Sequence, residues 1–174
     1  PTRIMSLDKA LKAGTSRDAL EEVFTVDENN CPTMTGQPRS KVRLENLWHR
    51  ATYIIVRHGE KEEKATDVII QKRSQLKDYC PGRFDPCPGG VVGFNEFYED
   101  NASRELEEEM GINASVEDGS LNKLFNFRYS DDRVNCWGGL FEVTYNGKIE
   151  NLKLQEEEVE SVSVLPLREV LDKS

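Results

Sequence analysis

The clearest hydrophobic pattern along the chain is that of β-strands. Residues 51–57 and 67–72 are apolar and β-branched, and we expect these two segments to pair with each other. The charged run 60–64 between them predicts a hairpin loop. Other segments with a strand-like pattern are 22–26, expected at a sheet edge, 121–129, 135–145 and 162–165.

Helical spacing is strongest in the middle of the chain, where residues 96–110 predict a helix that Gly111 ends with a left-handed cap. Weaker spacing predicts a helix at 6–12, and Pro166 predicts the start of a last helix that ends near Lys173. A turn is predicted at 145–148, which reads Tyr-Asn-Gly-Lys. Because strands and helices are intermixed along the chain, we expect an α/β fold with helices packed on a mixed sheet.

Composition restricts the possible functions. The chain of 174 residues fits a single domain, 1–174, with residues 1–45 as an N-terminal extension that packs on it. Its net charge of −9 disfavours general binding to nucleic acid or to an anionic membrane surface, so a small substrate is expected. No apolar run is long enough to span a membrane and the first residues lack a signal-peptide core, which predicts a soluble, cytoplasmic protein. The four cysteines lack C-x-x-C spacing and are expected to be free thiols.

The predicted helix carries an unusual group of carboxylates. Glu105, Glu108 and Glu109 fall within about 100° of one another around the helix axis. The neighbouring face is apolar and contains Ala102, Leu106 and Met110. Like charges four residues apart repel, and a hard divalent cation that prefers oxygen ligands would compensate them. A solvated acidic face is the alternative interpretation.

The residues around these glutamates decide between the two interpretations. Residues 90–112 read Gly90, five residues, Glu96, seven residues, then Arg104-Glu105-Leu106-x-Glu108-Glu109-x-Gly111-Ile112. This spacing resembles the complete Nudix box. The resemblance implies the Nudix α/β/α sandwich with a loop-helix-loop at the box, and Mg²⁺ (with Mn²⁺ as a possible substitute) bound by Glu105, Glu108 and Glu109. It also implies that Arg104 pairs with Glu96.

A second resemblance covers about residues 45–165 and is to the isopentenyl diphosphate isomerase-like branch of that superfamily. It depends on three segments: 49–51, which reads His-Arg-Ala, 71–77, and 81–85, which reads Pro-Gly-Arg-Phe-Asp. By this resemblance Arg73 and Lys77 hold the substrate diphosphate; a solvated basic pair on a loop is the alternative.

The same comparison argues against isomerase activity. Gly89 and Val91 stand where the isomerases have a catalytic cysteine and a metal-binding histidine. His49 matches one isomerase metal ligand, but its partner position is Val42, so a packed or hydrogen-bonded histidine is expected. Cys87 lies near the catalytic position, with nothing in the sequence to lower its pKa.

Hydrolysis of a diphosphate requires a general base, and in the superfamily that base is sometimes a glutamate on a later loop. Within the Glu156-Glu157-Glu158 run we favour Glu158, with a solvated turn as the alternative. Trp137, Phe84 and Tyr129 are candidates for a stacking wall, although core packing is the stronger expectation for each.

The sequence therefore predicts a Mg²⁺-dependent hydrolase that cleaves a diphosphate linkage in a small nucleoside diphosphate-X or other organic diphosphate. The catalytic candidates are Glu105, Glu108, Arg104 and Glu158. The alternatives are an isopentenyl diphosphate isomerase-like isomerase and a non-catalytic module that binds a diphosphate.

Overall fold

A computed structural model of the chain describes residues 21–59, 67–77 and 79–172. The strands in this part of the chain are β1 (Glu22–Val26), β2 (Pro32–Pro38), β3 (His49–His58), β4 (Asp67–Arg73), β5 (Phe84–Asp85), β6 (Leu121–Ser130), β7 (Asn135–Tyr145) and β8 (Val159–Pro166). The helices are α1 (Arg39–Glu45), α2 (Tyr98–Met110) and α3 (Leu167–Asp172), and a 3-10 turn covers Ile149–Asn151.

The strands form a mixed sheet. β3 and β7 run parallel along their whole length, from His49 opposite Cys136 to His58 opposite Tyr145. The other pairings are antiparallel: β6 with β7, β8 with β4, and β1 with both β2 and β3. The predicted α/β class is confirmed, and so is the pairing of β3 with β4.

The pairing of β3 with β4 is restricted to one end, and this creates the space for a site. Only Arg57 and His58 of β3 register with β4, so the two strands separate towards the other end. The loop at residues 88–92 takes the vacated position along β3. Thr52 N of β3 donates a hydrogen bond to Gly90 O of this loop at 2.8 Å, and Ile54 N donates to Pro88 O at 2.9 Å. This loop, called the box loop below because the predicted box begins in it at Gly90, is thereby fixed to the central strand.

Helix α2 packs its apolar face on the sheet. Ala102, Leu106 and Met110 are fully buried in the main core with Ile54 and Phe141. Gly111 ends the helix with a left-handed φ of 68°, as predicted. Burial of this stripe orients the neighbouring face of α2, which carries the glutamates.

Several predicted boundaries are corrected. The segment 22–26 is a strand but not an edge, because β1 lies between β2 and β3. Helix α2 begins at Tyr98 and leaves Glu96 in the preceding loop, while α3 begins at Leu167 because Pro166 still belongs to β8. The pattern gave no sign of β2, which is largely exposed, or of α1, in which only Val42 is buried. The helix predicted at 6–12 and the loop predicted at 60–64 lie outside the described residues.

The helices and the cysteines bear on two predictions from composition. None of the helices in the described ranges is long and apolar enough to cross a membrane. Cys31, Cys80, Cys87 and Cys136 are free thiols, as expected.

Candidate active site

A cavity of about 600 Å³ opens where β3 and β4 separate. The box loop contributes Gly89, Gly90 and Val91, and helix α2 contributes Arg104, Glu105 and Glu108. The cationic side chains around the cavity, besides Arg104, are Arg39, Arg43, Arg73, Lys77 and Arg83. In a chain with a net charge of −9, this concentration of positive charge beside box carboxylates is the main electrostatic feature of the site.

The carboxylate of Glu105 lies against the backbone of Gly90. A Cβ atom at position 90 would overlap the Glu105 carboxylate, so glycine leaves the space that this carboxylate occupies. Burial raises the pKa of Glu105 to about 7; Arg104 opposes the shift, and the neighbouring Glu109 and Glu108 add to it. The Glu105 carboxylate is thus buried and close to two like charges, and Arg104 offsets part of that effect.

Arg104 joins the loop to the helix. Its Nε donates to Glu96 Oε1 at 2.9 Å, and its two terminal nitrogens reach Glu105 at 3.0 Å and Glu108 at 3.1 Å. The predicted pairing of Arg104 with Glu96 is confirmed. Glu96 also accepts from Gly93 N and Asn101 Nδ2. Burial alone would raise the pKa of Glu96, but hydrogen bonds from Arg104, Asn101 and Gly93 outweigh it and lower the pKa.

Glu109 lies behind the cavity wall. Its side chain is 2% exposed, accepts a hydrogen bond from Gly89 N at 3.2 Å, and stands 3.7 Å from Lys77 Nζ. Burial raises the pKa of Glu109, and Lys77 opposes this. The same Lys77 amine forms an ion pair with Glu158. One buried lysine therefore joins a box glutamate to the glutamate favoured as general base.

The structure brings Arg73 to the same cavity. Arg73 Nη1 contacts Asp85 Oδ2 at 3.0 Å, and its other nitrogens donate to Tyr79 O. These bonds clamp the segment after β4 against β5. Arg73 and Lys77 are far in sequence from Glu158, and all three line one cavity with Glu105 and Glu108.

The carboxylates suit a hard divalent cation by their chemistry. Glu105 and Glu108 both line the cavity. Burial raises the pKa of Glu105 most, and the like charges of Glu109 and Glu108 add to it; a bound cation would compensate that repulsion. In the arrangement shown, Arg104 bridges these two side chains and Lys77 lies beside Glu109. Over the described ranges, no three His, Cys, Asp or Glu side chains already converge as a metal cluster. Glu105 and Glu108 are thus the residues that would hold the cation from the cavity side.

Other sequence candidates have different roles. Burial, with a contribution from Asp85, raises the pKa of Cys87 to about 12, which makes a thiolate nucleophile unfavourable. His49 is buried and its Nδ1 is 3.0 Å from Leu47 O, in agreement with the expected hydrogen-bonded histidine. Burial and then Arg43 lower the pKa of His49 to about 4.

The aromatic candidates separate into two groups. Phe84 and Tyr129 line the cavity with 69% and 46% of their surfaces exposed, so the expectation of core packing is wrong for both. Trp137 instead donates from its indole nitrogen to Glu28 O at 3.3 Å. Tyr53 and Tyr79 also line the cavity and were missed, because nothing in their local pattern distinguishes a cavity residue from a core residue.

Sequence reasoning also missed Arg39 and Arg43. Both belong to α1, which has a single buried residue and hence too little hydrophobic periodicity to predict a helix. The one available signal is their i, i+4 spacing on either side of Val42.

Comparison with known proteins identifies the family. The model of the NUDIX domain matches residues 47–174. The chain belongs to the Nudix family. Among its relatives, an uncharacterized Nudix hydrolase of Yersinia pestis is 36% identical over 143 residues, which cover 82% of this chain and 71% of the relative. The uncharacterized Nudix hydrolase YfcD of Escherichia coli K12 is 35% identical over 150 residues, which cover 86% and 76%. The chain is thus a Nudix-type hydrolase.

A solved structure supports the fold independently. The crystal structure of DR0079 from Deinococcus radiodurans matches 88% of each chain with a TM-score of 0.70 at 19% identity. The predicted Nudix sandwich with its mixed sheet is therefore confirmed. Nudix hydrolases generally use divalent metal ions such as Mg²⁺.

Proposed function

We propose that this Nudix hydrolase cleaves the diphosphate linkage of a small organic diphosphate, of the nucleoside diphosphate-X type or a related alcohol conjugate, with Mg²⁺ as cofactor. The observation that carries the proposal is the composition of the cavity. It combines Glu105 and Glu108 of the box with basic side chains from β4 and the segment that follows it. A cavity that offers both carboxylates for a cation and cations for phosphoryl oxygens suits a metal-carried diphosphate.

In this proposal Arg73 and Lys77 bind the diphosphate. Arg73 is held in place by Asp85 and Tyr79 O, so its guanidinium is oriented before substrate arrives. The side chain of Lys77 is 9% exposed, and burial lowers its pKa while Glu109 opposes that shift. An anionic substrate compensates the buried ammonium and stabilises its charged form.

Glu158 is the proposed general base, and it lines the cavity from the loop before β8. Lys77 holds the Glu158 carboxylate in place through their ion pair, and a bound diphosphate would compete with Glu158 for this amine. Release from Lys77 leaves the carboxylate a better proton acceptor for the attacking water. Mg²⁺, when bound by Glu105, Glu108 and Glu109, would supply positive charge to the phosphoryl oxygens and increase the acidity of water.

A resemblance to the isopentenyl diphosphate isomerases supports the assignment of Arg73 and Lys77, but the structure does not favour isomerisation. Gly89 has φ 143°, and a Cβ there would overlap the Thr52 carbonyl oxygen. A cysteine at this position would clash with the backbone of the central strand. The alternative of a non-catalytic binding module is weakened by the presence of all three box glutamates.

The test is a substrate screen with Mg²⁺ and with chelator, across nucleoside diphosphate sugars, dinucleoside polyphosphates, other alcohol diphosphates and prenyl diphosphates. Products are identified by ³¹P NMR in ¹⁸O-enriched water, which shows whether water enters the phosphate. We expect Mg²⁺-dependent incorporation of ¹⁸O with at least one class. Tight binding without turnover of any class would replace the hydrolase with a binding module.

A further inference from the structure

A short helix outside the NUDIX match forms part of the cavity wall. Helix α1 ends at Glu45, before the match begins at residue 47, and yet its Arg39 and Arg43 both line the cavity. Because they are four residues apart, the two guanidiniums project from one face of the helix. This wall is supplied by neither the box helix nor β4.

Helix α1 is fixed beside the box. Val42 is 2% exposed and packs with Val23 of β1 and Val91 of the box loop. Backbone hydrogen bonds hold each end of the helix. At its start Arg39 N donates to Glu21 O at 2.8 Å, and after its end Leu47 N donates to Val42 O at 3.0 Å. The two arginines are consequently carried on a rigid support rather than on a loose surface helix.

The side chains are also positioned. Arg39 Nη1 contacts Glu21 Oε2 at 3.1 Å, and its side chain is mostly buried. Arg43 lies over the ring of Tyr79 at 5.2 Å, which places it near the segment that follows Lys77. A guanidinium held by a carboxylate or stacked on an aromatic ring loses little additional freedom on binding an anion.

Helix stability does not explain a positive charge at position 39. Arg39 is the first residue of α1, where the helix dipole disfavours a cation, and the first turn contains no acidic residue. The field of Arg43 reaches into the cavity as well: after burial, it is the largest influence that lowers the pKa of His49. The charge of Arg43 therefore acts on the cavity, and Arg39, which also pairs with Glu21, brings a second guanidinium to the same wall.

We propose that Arg39 and Arg43 form a second anion subsite, which selects diphosphate substrates whose organic group carries a further phosphate monoester. The inference rests on the proposed function and adds the substrate class. Two guanidiniums match the several acceptor oxygens of a dianionic phosphate better than they match a neutral sugar or base. Arg73 and Lys77 remain for the diphosphate itself.

Matched ligand pairs test the subsite by binding, independently of turnover. The first pair is ADP-ribose and ADP-ribose 2′-phosphate, and the second pair is dephospho-coenzyme A and coenzyme A. The affinity of each ligand is measured by calorimetry with Mg²⁺. We expect at least one phosphorylated member to bind wild type ten-fold tighter than its partner. Arg43→Gln and Arg39→Gln should each reduce this preference to below three-fold and leave the affinity for the unphosphorylated member within two-fold.

A control variant separates the subsite from general loss of charge. Lys41 lies on the same helix, is exposed and donates to Gln37, so Lys41→Gln should keep the wild-type preference. Arg39 also contacts Glu21, so circular dichroism of each variant checks that the fold is intact. Arg43→Gln tests the subsite without removing that contact. The proposal is overturned if no pair shows a preference or if the preference survives in both arginine variants. If the preference is found but the full substrate screen gives no turnover, the subsite stands and the proposed reaction fails.

Discussion

At the scale of single residues, the box glutamates are not equivalent. Glu108 is 50% exposed at the cavity, whereas Glu109 is 2% exposed and stands beside Lys77. We expect Glu108→Gln to reduce turnover at least 100-fold with an unchanged Tm, because it removes a cation ligand from a solvated position. Glu109→Gln should also lower the free energy of unfolding, by about 1–3 kcal/mol, because Lys77 loses a buried counter-charge.

Steady-state kinetics and urea unfolding of the two variants measure this difference. Glu107→Gln is the matched control, because Glu107 is an exposed glutamate of the same helix that does not line the main cavity. Wild-type turnover in the Glu108 variant would remove Glu108 from the proposed site.

His49 makes the stability of the protein depend on pH. Burial, followed by Arg43, lowers its pKa from 6.5 to about 4 in the folded state. Between these values the unfolded chain binds a proton that the folded chain does not, so stability falls as pH decreases from 6.5 to 4. The shift corresponds to about 3 kcal/mol. Urea unfolding from pH 7 to pH 4 should show that wild type loses about this much more stability than His49→Gln; parallel curves would contradict the assignment.

At the scale of elements, two glycines of the box have separate functions. The three atoms nearest to a Cβ at Gly90 all belong to the flexible end of Glu105, whereas a Cβ at Gly111 would stand 2.8 Å from Lys153 Cβ on a backbone with φ 68°. We therefore expect Gly90→Ala to reduce activity at least ten-fold by displacing the carboxylate, with little change in Tm. Gly111→Ala should lower the unfolding free energy by about 1–2 kcal/mol. The prediction is wrong if thermal melts and initial rates show the two effects reversed.

The local sequence pattern predicts some of the elements and not others. The apolar stripe of α2 and the β-branched β3 and β4 were predictable because burial on one face or both imposes a period. α1 and β2 were not, since tertiary contacts rather than local pattern stabilise them: α1 depends on Val42, and β2 on its pairing with β1. The same limit hid Arg39 and Arg43, which enter the cavity only because α1 docks beside Val91.

At the scale of the whole molecule, the site depends on the separation of β3 from β4. The cavity is lined from several separate segments, because the loop at residues 88–92 fills that gap. The lining residues used in the proposal are Arg73, Lys77, Gly89, Gly90, Val91, Arg104, Glu105, Glu108 and Glu158. The box spacing could predict the carboxylates and their face of the helix, while the cationic wall depends on contacts between segments distant in sequence.

Binding of the cation should stabilise the folded chain. Since the carboxylates are brought together only on folding, Mg²⁺ or Mn²⁺ should raise the Tm in a saturable way. An all-oxygen site gives no preference for Zn²⁺. Differential scanning calorimetry over a millimolar titration checks this, with Glu108→Gln as the control that should respond less. A Tm that does not change with Mg²⁺, with or without inorganic diphosphate, would contradict the proposed metal site.

The whole arrangement also separates hydrolysis from allylic isomerisation. Isomerisation needs one group to protonate a carbon–carbon double bond and another to remove a proton beside the hydrocarbon tail. Gly89 offers no side chain, and its backbone at φ 143° together with the adjacent Thr52 carbonyl leaves no room for one. Val91 is an apolar residue packed with Val42.

Isopentenyl diphosphate with Mg²⁺ should therefore give no dimethylallyl diphosphate by ¹H NMR. Gly89→Cys should lower the Tm instead of creating the activity, because the new Cβ must displace the central strand. Formation of the allylic product by wild type at enzymatic rates would show that another pair of side chains in this cavity performs the proton transfers, and would favour the isomerase.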